Sequence, residues 1–309
     1  MIKDRAYVLH RNDERIPHNR KVKVIENEYN TYNSNPKVSI IIPTADGYRD
    51  GLLPALLENL SKQKYQNFET IIIQGDSRQG RAINTGADIA RGEFLLTLDD
   101  DTRLISTDVL GKLVQIIDDD EFIGMAGGAN IIHDSATSFV RRTMEQIPRR
   151  QTPNISEITD SDLAEHGLLI IRKKVFKEVG GENELIPRGL DPYLRNLFRK
   201  AGYRVVAVPE VYYSHLTPPN FIELIKQFYR NGKLAAFCNK YYPQWVIETP
   251  DSHVNDFVEK RSFPYRISRY VVNIFKKMLR GHWIYVSAYA VYAFGFFWGY
   301  FSYKDKYLS

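Results

Sequence analysis

The chain has 309 residues, with 42 Lys and Arg against 37 Asp and Glu, and 43% of it is hydrophobic. That composition is globular, which excludes a disordered chain and a polytopic membrane protein, and the length suits one large domain or one domain with an appendage. A single cysteine, Cys238, excludes a disulfide framework and a multi-cysteine zinc site, and fits a reducing compartment.

The net charge of +5 is unevenly spread. From Lys260 to Lys304 there is no carboxylate but eight cations, which leaves 34 cations against 37 anions elsewhere, a balance of −3. A slightly acidic body with a basic tail does not read as a nucleic-acid binder. Met1 to Arg20 is polar with no apolar core, so it does not read as a secretory signal.

Residues 1–36 show no sustained period and read as an arm or a short edge element. Val38 to Ile42 is a near-continuous apolar run stopped by Pro43, which fits a strand buried on both faces. Leu52, Leu53, Leu56, Leu57 and Leu60 then recur at helical spacing. Phe68 to Ile73 is a second buried strand, Ala82 to Ile89 a helix, and Phe94 to Leu98 a third strand running into Asp99-Asp100-Asp101. Val109 to Ile117 reads as a helix and Phe122 to Ala126 as a strand. The alternation predicts an α/β fold with a mostly parallel sheet flanked by helices, and ligands bind such sheets at the carboxyl ends of the strands. From Ala129 to Glu165 the pattern is weak, with Arg141, Arg142, Arg149 and Arg150 scattered through it. Beyond it come a strand at Leu168 to Ile171, a helix at Lys173 to Val179 stopped by Gly180-Gly181, and a helix at Asp191 to Ala201. Two strands at Val205 to Val208 and Val211 to Ser214 precede a helix at Phe221 to Cys238.

Three adjacent carboxylates at a strand end repel one another unless something offsets the charge. A divalent cation does so, and oxygen ligands suit Mg2+ or Mn2+. In extended backbone Asp99 and Asp101 face one side and share the ion, while Asp100 faces elsewhere, for example a ribose hydroxyl. Asp118-Asp119-Asp120 has the same composition but follows a helix and reads as a solvated helix end.

Three segments, Ser39-Ile40-Ile41-Ile42-Pro43-Thr44, Arg81 to Gly86 and Ala90 to Asp101, resemble the N-terminal half of a family 2 glycosyltransferase with the Rossmann-like GT-A fold. Arg172 to Gly181 is similar to that family's acceptor-side helix. Gly189-Leu190-Asp191, Ala201 to Val205, Pro209 and His215 are similar to its closing segment. The resemblance covers about Lys37 to Tyr229. It implies a nucleotide-diphosphate sugar donor, inversion, and a metal held by Asp99 and Asp101. Asp191 is implied as the base, although Leu190 stands where the family usually has a second carboxylate; the alternative for Asp191 is a helix N-cap. His215 either completes the metal shell or is a structural histidine. Arg81 either assists at the diphosphate or is solvated. Asp76, Thr44 and Asp46 after Pro43, together with Asp100, are expected to line the nucleotide pocket. The Gln-x-x-Arg-Trp motif of processive synthases is absent, since Asn231 follows Gln227-Phe228-Tyr229-Arg230.

In the tail, Ile267, Tyr270, Val271, Ile274, Phe275 and Met278 mark one helical face, and Arg266, Arg269, Lys276, Lys277 and Arg280 the other. That is a basic amphipathic helix suited to an anionic membrane. Trp283 to Tyr303 is uncharged and roughly 20 residues long, enough to span a bilayer. Its tyrosines at helical spacing suit the interface instead, so spanning and lying flat both stay open. Gly295 and Gly299 offer a packing face and a route to a homo-oligomer. The domain expectation is an arm at 1–36, a GT-A domain at 37–240 and a C-terminal helical tail at 241–309. The function expected is transfer to a lipid-linked acceptor on the cytoplasmic face of a membrane. A polyprenyl-phosphate hexose synthase and an inactive nucleotide-sugar-binding scaffold are the alternatives.

Overall fold

The structure, a computed structural model, describes residues 21–26, 35–147, 155–215, 217–247 and 262–306, in two compact units. One unit carries described residues 21–26, 35–131 and 155–215; the other carries 132–147, 217–247 and 262–306. Arg149, Arg150, Lys260, Arg261 and most of the expected arm lie outside the described residues.

The first unit is built on one mixed sheet. Its strands are β1 (Lys21–Glu26), β2 (Val38–Thr44), β3 (Phe68–Gln74), β4 (Phe94–Thr97), β5 (Thr102–Leu104), β6 (Ile123–Asn130), β7 (Thr159–Asp160), β8 (Leu169–Arg172) and β9 (Arg204–His215). They lie in the order β1-β3-β2-β4-β8-β6-β9-β5, with β7 also paired to β9. β2 pairs in parallel with both β3 and β4, through the crossover helices α1 (Leu52–Ser61) and α2 (Gln79–Ile89). Ile40, Ile41 and Ile42 are fully buried there, as the unbroken apolar run requires of a strand covered on both faces. The arm's described part, β1, is the antiparallel edge beside β3.

The sheet departs from uniform parallel order beyond β4. β8 inserts antiparallel between β4 and β6. Sequence order alone put Phe122 to Ala126 next after Phe94 to Leu98, but adjacency in the sheet is a matter of long-range pairing. The two strands expected on either side of Pro209 are one strand, β9. It stays continuous because Glu210 takes a left-handed φ of 56° and the pairing with β6 shifts from Gly127↔Ala207 to Ala129↔Tyr212. That is a bulge, which absorbs the extra residues and re-aims the strand.

Entry into β4 is tight. The Gly92 N–H donates to Ser39 Oγ at 2.8 Å, and a Cβ at Gly92 would sit 2.6 Å from the Ser39 backbone nitrogen. Backbone cannot yield as a flexible side chain can. Gly92→Ala is therefore expected to cost about 1–3 kcal/mol, read as a lower urea midpoint; an unchanged midpoint would refute so close an approach.

Helices complete the unit: α3 (Val109–Asp119), α5 (Lys173–Val179) and α6 (Leu190–Lys200). Gly180 ends α5 in the left-handed conformation, as the double glycine predicts. The second unit contains α4 (Ser138–Gln146), α7 (Phe221–Tyr241), α8 (Phe263–Leu279) and α9 (Trp283–Ser302). It has its own apolar core, in which Ile147, Leu224, Phe228 and Ala288 are buried.

Candidate functional site

β4 ends at Thr97, and the chain turns through Asp99, Asp100 and Asp101 into β5. In the β5–β9 ladder Thr102 lies directly opposite His215, so sheet register brings a histidine from the far end of the unit beside the carboxylates. His215 Nε2 is 3.2 Å from Asp99 Oδ2 and 3.0 Å from Asp101 Oδ1. One donor atom from each of the three residues falls within 4.8 Å of the others. Two carboxylates and an imidazole suit Mn2+ or Mg2+. Asp101 Oδ1 supports the fit: it is buried and faces the His215 imidazole at 3.0 Å. Burial alone would push His215 down, but both carboxylates carry it up to about 10. Burial likewise pushes Asp101 up, and His215 and Arg49 more than reverse this.

The loop after β2 supplies a second cation. Asp46 Oδ1 accepts the backbone N–H groups of Tyr48 and Arg49 at 2.9 and 2.7 Å, and the Gln74 amide donates to Asp46 O. Arg49 and Asp50 both sit at left-handed φ, 50° and 53°. Non-glycine residues pay of order 1–3 kcal/mol each for such conformations. What this strained turn achieves is the placement of the Arg49 guanidinium 3.5 Å from Asp100 and 3.4 Å from Asp101. Burial raises the Asp100 pKa, opposed by a hydrogen bond from the Thr44 hydroxyl and by Arg49. Gln79 donates to Asp99 Oδ1 at 2.9 Å.

The expected nucleotide-pocket residues therefore divide. Thr44 meets Asp100, and Pro43 stands beside it at the carboxyl end of β2. Asp46 acts through its turn. Asp76 and Arg81 meet each other, with Arg81 Nε 2.9 and 2.8 Å from the two Asp76 oxygens and its other nitrogen 2.6 Å from Oδ1. Asp76 also accepts the Arg78 N–H near the start of α2. Arg81 is buried in this pair and is not a solvated arginine.

Asp191 lies in the first turn of α6, but Gly189 is the cap and no side chain bonds there. The carboxylate instead accepts the His166 N–H at 2.7 Å. Burial pushes Asp191 up, and the charges of His166 and Arg195 hold it below the usual carboxylate range. His166 links this group to β4: Thr97 Oγ1 is 2.9 Å from Nδ1, and Glu182 Oε1 is 2.8 Å from Nε2. Burial alone would lower His166, but Glu182 and Asp191 carry it up to about 9. A raised folded pKa means stability that is full below the ordinary 6.5 and lost as pH rises through about 9. The unfolding free energy is expected to fall across that window, and Glu182→Gln to flatten the slope in urea titrations at stepped pH. An unchanged slope would remove the pair as its source.

Residues 41–180 match the model of Glycosyl transferase family 2. Over these residues the chain is similar to family 2 glycosyltransferases. An uncharacterized glycosyltransferase of Haemophilus influenzae is 27% identical over 183 residues. That match takes in 50% of this chain and 59% of the relative, so the chain spans less than two thirds of the relative's length. A mannosyltransferase from Pyrobaculum calidifontis, solved in complex with GDP-Man and Mn2+, aligns at a TM-score of 0.53 and 13% identity over 88% of this chain and 89% of its own. S. aureus TarS 1-349 in complex with UDP-GlcNAc aligns at 0.44 and 15% identity over 66% and 67%. The fold shared with the Pyrobaculum mannosyltransferase accounts for the strand-end location of the carboxylates here.

The family motifs pointed to Asp99, Asp101, Asp191 and His215. Arg49, Gln79, His166 and Glu182 were not singled out. His166 lies in the weakly patterned stretch, and Arg49 in a polar turn. Glu182 follows Gly180-Gly181 directly, a position where a signal existed but its purpose did not show.

Proposed function

We propose that the glycosyltransferase moves a sugar, with inversion, from a nucleoside-diphosphate donor to a lipid-linked glycan acceptor at the cytoplasmic face of a membrane. The observation that carries this reading is the convergence of Asp99, Asp101 and His215 at the end of β4, joined through Thr97 and His166 to Asp191. Asp99, Asp101 and His215 would hold a divalent cation, which would supply positive charge to the departing diphosphate. The Pyrobaculum mannosyltransferase, solved in complex with GDP-Man and Mn2+, supports that use of the fold. Arg49 offsets the carboxylates from the other side.

The acceptor hydroxyl oxygen forms a bond to the anomeric carbon as the bond from that carbon to the diphosphate oxygen breaks. The bonding pair leaves with the nucleoside diphosphate, and the hydroxyl proton passes to Asp191. A base must be ionised before the step, and His166 and Arg195 keep Asp191 so despite burial. Thr44 and Asp100 bind the donor's nucleoside side, with Pro43 shaping the wall. Asp76 fixes Arg81 and the start of α2 beside that pocket, and Asp46 sets the loop that carries Arg49.

The test is product analysis with Mn2+, a panel of nucleotide sugars, and lipid-linked glycan or polyprenyl phosphate as sole acceptor. The expected product is a single sugar added to the glycan with inverted configuration. Transfer to polyprenyl phosphate alone would replace the glycan acceptor, and failure to turn over any donor would leave a binding scaffold.

A further inference from the structure

α9 is the one helix among the described residues long and apolar enough to cross a membrane by length and composition. Its packing decides against that. α7 and α9 run side by side in the same direction: Phe228 meets Tyr289, Tyr229 stacks on Phe294, and Phe237 meets Tyr303. The approach is backbone to backbone. A Cβ on Gly232 would lie 2.1 Å from Tyr292 O, and one on Gly295 would lie 2.4 Å from Tyr229 O. Lys240 closes the far end, its Nζ donating to Tyr300 O and Tyr303 O at 2.8 and 2.7 Å.

α7 is a poor companion for a spanning helix. It carries Glu223, Lys226, Arg230, Lys233 and Lys240 along the length that α9 follows. Lys233 sits within the contact, its Nζ 5.9 and 5.8 Å from the Tyr229 and Tyr303 rings. A crossing α9 would take these charges through hydrocarbon, where each is costly.

Tyr285, Tyr289 and Tyr292 of α9 face protein, whereas Tyr300 is 41% exposed. Tyr285 is buried and stacks on Tyr289, whose carbonyl accepts the Tyr270 hydroxyl. The outward row is Phe294, Phe297, Trp298 and Phe301, at i, i+3, i+4 and i+7, with Phe294 61% and Phe301 79% exposed. α8 exposes Ile267, Val271, Phe275 and Leu279 in a second row. Lys276 and Arg280 are exposed beside it, in the stretch that lacks any carboxylate.

We infer that α8 and α9 lie in the plane of an anionic bilayer, with the Phe294–Phe301 row in the headgroup–acyl boundary and neither helix crossing. The occupant is a lipid surface because exposed apolar rows beside Lys276 and Arg280, in a stretch without carboxylates, complement anionic headgroups. This rests on the membrane-acceptor reading above and specifies how the chain reaches that membrane.

The test uses the full chain with vesicles of phosphatidylcholine, with and without phosphatidylglycerol. Flotation with the anionic vesicles and release by alkaline carbonate are expected. With Trp298 as sole tryptophan (Trp245→Phe, Trp283→Phe), lipids brominated near the headgroup should quench its fluorescence and lipids brominated near the chain end should not. Phe297→Asp with Phe301→Asp should weaken partition on the order of a hundredfold, with helix content unchanged by circular dichroism. Deep quenching or resistance to carbonate would mean a spanning helix and overturn the inference. So would absence of vesicle binding with a dimer in sedimentation, which would assign the row to a second copy. Donor hydrolysis by the unbound chain is read separately: hydrolysis without vesicle binding sinks only this inference, and binding without hydrolysis sinks the transferase reading.

Discussion

Asp191→Asn is expected to lower sugar transfer by about 10²–10⁴-fold while donor affinity stays near wild type. Asparagine keeps the shape and can still accept the His166 N–H, so the fold at the start of α6 survives. What disappears is a group able to take the acceptor proton. The carboxylate is not the helix cap, because Gly189 occupies that position. Stopped assays give turnover, and donor-induced thermal shift gives binding. Equal loss of both would make Asp191 a structural anion balancing His166 and Arg195. Full activity would move the base elsewhere.

Asp101→Ala is expected to abolish Mn2+ binding in a titration followed by electron paramagnetic resonance, and to cut turnover by several kcal/mol of transition-state stabilisation, about a thousandfold. The side chain is nearly buried and meets both His215 and Arg49. Its removal therefore leaves two cations facing a weakened anion set, which lowers metal affinity further. His215→Ala should weaken Mn2+ binding less, since both carboxylates remain. Full activity of the Asp101 variant, or activity unaffected by a chelator, would sink the metal assignment.

Much of the site was legible because local chemistry leaves local traces. Three carboxylates after an apolar strand are costly wherever they fold, and the contrast with Asp118-Asp119-Asp120 comes from position alone. In the structure that second cluster behaves as a surface, Asp118 bridging to Lys37 and Asp120 to Arg204. Asp76 and Arg81 show where such reasoning stops. Each residue alone suggests a ligand contact, but they stand five apart on a turn entering a helix, and opposite charges at that spacing satisfy one another. His166 left no trace, and Glu182 only its place after the double glycine. Their roles depend on Thr97 and Asp191, which lie far from them in the chain.

The tail shows the same division with the opposite outcome for one residue type. A tyrosine row at helical spacing suits a membrane interface, but here Tyr285, Tyr289 and Tyr292 face neighbouring helices, and Phe297, Trp298 and Phe301 face outward with Tyr300. Periodicity reports that a face exists without saying what covers it.

By itself the sequence determined the α/β order, the strand-end carboxylates, the resemblance of the body to family 2 glycosyltransferases, and a carboxylate-free basic tail. These follow from composition and spacing along a few turns or strands. Tertiary structure alone decided that β8 runs antiparallel beside β4, that register sets His215 opposite Thr102, and that Thr97 meets His166. It also decided that α9 is bound along its length to a charged helix. Each of these is a pairing between distant segments, selected by burial and register together, and no local pattern encodes the partner.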